Sequence, residues 1–258
     1  MYKTKIDWCD SSWNPVTGCL HGCEYCYARR HVNRFGKATM DDDLRELDEP
    51  YRDLVTGTEC GEIARGRINH YPFGFAPTFH RYRLGIPAKW SEPRTIFVGS
   101  MTDLFGSWVP DEWIQDVFTA CAAAPWHRYL FLTKNPMRIR ELYSAKALPY
   151  ADNFWFGSTL TSPDDNFTWF RDTPYHGFVS IEPILEPFGE METEYWPEWV
   201  IVGAETGPRK NKVVPEKWWI DEIVEACAEK KVAVFMKSSI RDLMGSDFKQ
   251  EYPWEVRP

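Results

Sequence analysis

The sequence predicts an α/β fold, a full or partial TIM-like (β/α) barrel with parallel strands, and three observations lead there. From about residue 94 onward, short apolar runs alternate with amphipathic segments, the pattern of buried strands joined by crossover helices. Each amphipathic segment carries Pro, Asp, Asn or Ser near its start, residue types that open helices. The chain of 258 residues has the length of one such barrel and shows no low-complexity tract, linker or exact repeat. Residues 1–258 are therefore read as a single domain, with an open doubly wound sheet as the nearest rival.

Taken in order, residues 4–18 (TKIDWCDSSWNPVTG) are strand-like and deliver a cysteine-rich loop. Residues 37–75 have mixed charge and weak periodicity, which predicts an irregular insertion or short helices over the barrel mouth. A second strand end is predicted within 76–84 (APTFHRYRL). Six apolar runs follow at 94–100, 128–134, 153–160, 177–185, 198–205 and 232–238, so the count reaches eight strands. Helices are predicted at 110–124, 135–146, 162–172 and 214–231. The last places Trp218, Ile220, Ile223, Val224 and Cys227 at helical spacing, which makes Cys227, and by the same logic Cys121, packing residues.

Composition narrows the function classes. Hydrophobic residues make up 43% and charged residues 26%, and neither a membrane-length apolar run nor a signal pattern is present, so a cytoplasmic protein with no membrane partner is expected. Seven cysteines, an odd number with three of them clustered, do not form a disulfide framework. The formal charge of -8 argues against a protein that coats nucleic acid, although YARRHVNRFGK is a local basic patch. Aromatic content is 16%, with 13 Trp beside many turns, mostly as core filling.

The cluster is Cys19, Cys23 and Cys26, in the stretch NPVTGCLHGCEYCYARR. Three thiolates are one too few for a closed four-ligand zinc site, unless His21 or His31 supplies the fourth ligand. They are also one too few for full ligation of a 4Fe-4S cluster, which leaves one iron open to a substrate or cofactor. A non-catalytic zinc- or Fe-S-binding module that contacts nucleic acid therefore stands beside an enzyme at this point.

Cys19, Cys23, Tyr25 and Cys26 match C-x3-C-x-aromatic-C after the first strand of a βα series. In this the chain resembles the radical S-adenosylmethionine (radical SAM) superfamily. The segments IDWCDSSWNPVTGC, MTDLFG, LTKNP, FGSTL, SIEPIL and VGAETG resemble a phage-associated, largely uncharacterised branch of it. The resemblance implies that Cys19, Cys23 and Cys26 hold a 4Fe-4S cluster whose open iron binds S-adenosylmethionine. It also implies reductive cleavage to a 5'-deoxyadenosyl radical, an electron donor such as flavodoxin or ferredoxin, and Tyr25 beside the cluster or adenine. The superfamily's glycine-rich motif after the second strand is not recognisable in FAPTFHRYRL, which leaves the methionine amino contact unassigned.

In a parallel barrel, function collects at the carboxyl ends of strands. Those ends offer Ser100 and Asp103, Thr133 and Lys134, Gly157 to Thr159, Ser180 and Glu182, Gly203 to Glu205, and Lys237 to Ser239. As cofactor contacts the expected set is Tyr25, Ser100, Gly157, Ser158, Glu182, Gly203 and Glu205; Glu182 and Glu205 are the carboxylates suited to amino or ribose hydroxyl groups. Lys134 and Lys237 are the candidate catalytic residues, as proton donors or as neutralisers of an anionic substrate. Alternatively, Glu182 or Glu205 forms an interior ion pair with one of these lysines. His80 and His127 read as structural histidines. The expected substrate is a small molecule, a nucleotide or a nucleic-acid base.

Overall fold

The structure, a computed structural model, describes residues 4–34, 42–55, 64–165, 170–189 and 195–255. In chain order its elements begin with β1 (Ser11–Trp13), β2 (Val16–Thr17), α1 (Tyr27–Asn33), β3 (Arg45–Leu47), β4 (Arg52–Val55), β5 (Ala64–Ile68) and β6 (Thr78–His80). They continue with β7 (Thr95–Val98), α2 (Asp111–Ala122), β8 (Arg128–Thr133), α3 (Pro136–Ser144), β9 (Phe154–Leu160) and β10 (His176–Ile181). The last are β11 (Trp199–Val202), α4 (Lys217–Glu229), β12 (Ala233–Met236) and the short α5 (Arg241–Met244).

Seven strands form one sheet in the order β1-β7-β8-β9-β10-β11-β12, with every neighbouring pair parallel. Among the described residues no ladder joins β1 to β12, so the sheet is a half barrel, a partial TIM-like form. The six long apolar runs form strands because both of their faces are covered. On the outer face, Ile96, Phe131, Phe154 and Phe156 pack with Trp113, Val117, Phe118 and Cys121 of α2 and Ile139 of α3. Further along, Val179, Val200 and Val234 pack against Ile220, Ile223 and Cys227 of α4. Each such side chain taken from water contributes roughly 1.5–3 kcal/mol. Cys121 and Cys227 are both fully buried, as packing residues.

On the inner face, alternation of side chains along the strands brings together Phe97, Leu130, Trp155, Phe178, Trp199 and Phe235. Trp8, from the segment before β1, plugs this interior, with its ring 4.6 Å from Phe97 and 6.2 Å from Trp199.

Four expectations change. The 76–84 strand does not join the barrel, which has seven strands. Pro15 breaks the first strand after β1, and the short β2 beyond it pairs antiparallel with β6, which in turn pairs with β3. The insertion carries short strands, including the β4–β5 hairpin, and no helix among its described residues; 37–41 and 56–63 lie outside them. Residues 162–165 and 170–172 form turns and bends where a helix was expected, while 166–169 lie outside the described residues. The Asp165 carboxylate accepts the backbone N–H groups of Thr161 (2.6 Å) and Ser162 (3.0 Å), which holds the turn. On α4, Trp218 is 46% exposed and Trp219 packs inward instead, because 219, 220, 223 and 227 share one face. No helix of the described residues is long and apolar enough to cross a membrane.

Candidate functional site at the carboxyl mouth of the half barrel

A cavity of about 570 Å³ opens where the seven strands end. Its wall takes side chains from the loop after β1 and from the ends of β7, β8, β9, β10, β11 and β12, so the parallel register alone collects residues far apart in sequence.

Cys19, Cys23 and Cys26 all open onto this cavity, each half-buried and none in a disulfide. Their loop is fixed at both ends. Gly18 donates its N–H to the Met101 carbonyl at 2.9 Å and accepts the Thr102 hydroxyl at 2.6 Å. It has φ +88°, and a Cβ there would fall 2.2 Å from the Ala76 carbonyl oxygen, so both conformation and space require glycine. At the other end, the Cys26 sulfur accepts the Arg29 N–H at 3.3 Å and caps α1. In the middle, Gly22 has φ +74° and open space around it. Burial pushes the Cys19 thiol up to about 12, and the nearby Asp103 carboxylate adds to the rise. Among the described residues no three His, Cys, Asp or Glu side chains converge on a point that would hold a metal ion. The loop thus fits a thiolate-ligated metal group in donor type and in room, with the three thiols on one wall and not drawn together.

Asp103, Glu182 and Glu205 at the mouth each have hydrogen-bond partners. His21 Nε2 lies 2.7 Å from Asp103 Oδ2, which also accepts the Lys134 backbone N–H at 2.8 Å; Oδ1 accepts the Phe105 N–H at 3.1 Å. Lys237 Nζ lies 2.5 Å from Glu182 Oε1, the interior ion pair weighed from the sequence. Glu205 is buried and takes two bonds from Arg209, at 2.8 and 2.7 Å, and these hold its carboxyl below the usual carboxylate range. Arg30 donates to the Thr206 carbonyl at 2.9 Å, which ties α1 to the loop after β11. Lys134 lies with Nζ 5.5 Å from the centre of the Tyr25 ring. Burial, with Cys23 next, raises the Tyr25 hydroxyl above its ordinary value.

Of the residues expected from the sequence, Cys19, Cys23, Cys26, Tyr25, Ser100, Lys134, Glu182, Glu205 and Lys237 share the cavity wall. Ser100 Oγ is 3.1 Å from Asn14 Nδ2, and its carbonyl accepts the Tyr27 hydroxyl. Gly157, Ser158 and Gly203 are not on that wall. Gly157 pairs directly with Phe178 across β9 and β10, whose ring fills the space over the glycine; a Cβ would come within 2.5 Å of it. Ser158, one residue on, is fully buried in the strand with no partner for its hydroxyl. Gly203 makes room for the Lys237 stem, 3.0 Å from where a Cβ would sit. His80 is fully buried against the Thr17 hydroxyl at 2.8 Å, and His127 is buried as well, both structural.

Asp7, Trp8 and Tyr27 line the cavity and Arg209 clamps Glu205, and none of the four was singled out from the sequence. The available signal was an acid beside an aromatic in a segment that is itself only half strand-like.

No curated protein matches the sequence. In fold the chain is similar to a cysteine-to-serine mutant of spore photoproduct lyase, with a TM-score of 0.50 over 92% of this chain and 81% of that one, at 11% identity. A likeness at that identity concerns the fold alone. The family model described as "Protein of unknown function (DUF5131)" matches residues 3–242, and the chain belongs to that family.

Proposed function

We propose that the chain is a radical SAM enzyme in which Cys19, Cys23 and Cys26 hold a 4Fe-4S cluster and S-adenosylmethionine binds beside it. The observation that carries this reading is the placement of all three thiols of a C-x3-C-x-aromatic-C loop on the wall of the cavity at the carboxyl mouth of a half barrel. When bound, the cluster supplies one-electron cleavage of S-adenosylmethionine, and with it a 5'-deoxyadenosyl radical that abstracts hydrogen from the substrate. An external donor of the flavodoxin or ferredoxin type provides the electron.

The chain's own residues bind, orient and exclude water. Tyr25 packs beside the loop thiols, and Ser100, fixed by Asn14, presents its hydroxyl at the wall. Glu205, ionised by its two bonds from Arg209, accepts from amino or hydroxyl groups of the cofactor. Glu182 does so from the inner side, with Lys237 as its counter-ion and proton partner. Lys134 has an ammonium free of any carboxylate among the described residues, and it neutralises an anionic group of the ligand. The substrate class is a small molecule, a nucleotide or a nucleic-acid base.

Anaerobic reconstitution tests the reading. The protein should turn brown, carry about four iron per chain, and release 5'-deoxyadenosine from S-adenosylmethionine under reductant. Cys23→Ala should lose both colour and product. Zinc in place of iron, with no 5'-deoxyadenosine, would refute the proposal.

A further inference from the structure

Three residues on the cavity wall carry a buried polar atom with no hydrogen-bond partner among the described residues: Trp8 Nε1, Asp7 Oδ1 and Ser180 Oγ. Trp8 is 2% exposed and Ser180 1%. An unpaired polar atom removed from water destabilises a fold, and of the residues that carry one, these three share the wall of a single cavity. The other Asp7 oxygen accepts the Ser238 N–H at 2.7 Å, and Glu182 is held by Lys237.

The same segment stoppers the open side of the half barrel. Among the described residues no ladder joins β1 to β12, and there Asp7 accepts from Ser238 beyond β12 while Asp10 donates its N–H to Thr95 of β7 at 2.9 Å. The C-terminal tail covers the rest: Met236 and Lys249 pair through the backbone at 2.9 Å, and Tyr252 and Trp254 pack against Trp199, tilted and edge-on respectively. A ligand therefore enters through the mouth and ends against the Trp8 and Phe97 rings, flat apolar walls that suit a planar π system. An indole N–H only donates, an ionised carboxylate oxygen only accepts, and a hydroxyl does both. The complementary ligand is a planar ring that carries an acceptor nitrogen or carbonyl next to an N–H donor.

We propose that this part of the cavity is the substrate pocket of the enzyme described above, and that it takes a nitrogen heteroaromatic ring of the nucleobase type, read by Trp8, Asp7 and Ser180. This rests on the radical SAM reading for its role as a substrate pocket, but binding is measurable without it. Equilibrium dialysis of the full chain, with and without a reconstituted cluster, is run against adenine, guanine, cytosine and uracil, then their nucleosides and 5'-monophosphates. At least one base should bind saturably with or without iron, and the nucleoside and monophosphate arms show in which form it is taken. Trp8→Phe keeps the ring and removes the donor, and Ser180→Ala removes the hydroxyl. Each should weaken base binding about tenfold while leaving S-adenosylmethionine affinity within twofold, the loss expected of one buried hydrogen bond. Thermal unfolding confirms that both variants fold, and Ser180→Ala, the smaller change, decides if Trp8→Phe does not. The proposal is overturned if no base, nucleoside or monophosphate binds, if the folded variants bind as the parent does, or if S-adenosylmethionine affinity falls in parallel, which would make this the cofactor's adenine site. Loss of iron and of 5'-deoxyadenosine with base binding intact would instead remove the radical SAM reading alone.

Discussion

Gly157→Ala separates a packing role from a ligand role at a strand end. In the sheet Gly157 pairs with Phe178, and a Cβ on Gly157 would lie 2.5, 2.6 and 2.7 Å from three atoms of the Phe178 ring. Ordinary carbon–carbon contact is about 3.5–4 Å, so the ring has to move by about 1 Å. It has little freedom to do so: Phe178 is fully buried, with Trp199 at 5.8 Å and Trp8 at 6.3 Å between ring centres. Overpacking of this kind costs about 1–3 kcal/mol, which in a chain of this size lowers Tm by about 2–12 °C. Urea unfolding should show a lower midpoint at unchanged slope. Phe178→Leu, which clears the space, should recover part of the loss, so the double-mutant cycle gives a coupling of at least about 1 kcal/mol. Unchanged stability in Gly157→Ala, or strictly additive effects in the cycle, would refute the packing account and return Gly157 to the ligand contacts.

Other perturbations test the site and its supports. Gly18→Ala places a Cβ 2.2 Å from a backbone carbonyl at φ +88° and should abolish iron uptake and lower Tm, whereas Gly22→Ala meets no atom and should cost only the left-handed backbone penalty of about 1–2 kcal/mol; iron content and thermal melts check both. Cys227→Ala should leave iron content unchanged and lower stability, since that thiol is buried against α4 neighbours, and loss of iron would contradict the sorting of the cysteines. Stability should fall with acid in two windows, followed by urea midpoints against pH. His80, pushed down to about 3 chiefly by burial, stays neutral in the folded chain; stability should therefore drop as pH falls from the ordinary histidine value of 6.5 toward 3, while the unfolded chain takes up the proton. Glu205, held down by Arg209, contributes stability that is present above the ordinary carboxyl value of 4.5 and lost as pH falls through its lower folded value, so Glu205→Gln should flatten that limb.

What the sequence made legible follows from burial. The six apolar runs from 94 onward all became barrel strands, because a strand covered on both faces is apolar throughout and stands out against its amphipathic helices. The cysteine loop was legible because its spacing is a chemical pattern and needs no tertiary information. Strand ends on the cavity, such as Lys134, Glu182 and Glu205, were found by one rule, that parallel strands present their carboxyl ends together. Glycines defeated the same rule. A missing side chain in the sequence marks a need for space, and only the fold says whether Phe178, the Lys237 stem or a ligand fills it. Trp218 and Trp219 differ by one helical step, and the pattern of α4 alone placed the wrong one inside. The role of Asp7 and Trp8 was hidden because it depends on an unclosed sheet, and whether seven strands close is not written in any one of them.

The contacts around the mouth also bear on how the cysteine loop answers a metal. Its three thiols lie on one wall without converging, yet both ends of the loop are pinned, by Gly18 to the turn after β7 and by Cys26 at the start of α1. Between these ends, Gly22 has open space around it. Two links carry a movement of the loop across the cavity. His21, next to Gly22, is bonded to Asp103, and Asp103 also holds the backbone of Lys134, so the loop and the end of β8 share one carboxylate. On the opposite side Arg30 of α1 holds the Thr206 carbonyl beside Glu205, a neutral-acceptor bond that salt screens little; the Arg209–Glu24 contact, with Glu24 largely exposed, adds little to it. A metal that drew the thiols together would pull on the bonds that set Lys134 and the Thr206 carbonyl beside Glu205, and would couple its own loading to the arrangement of those groups.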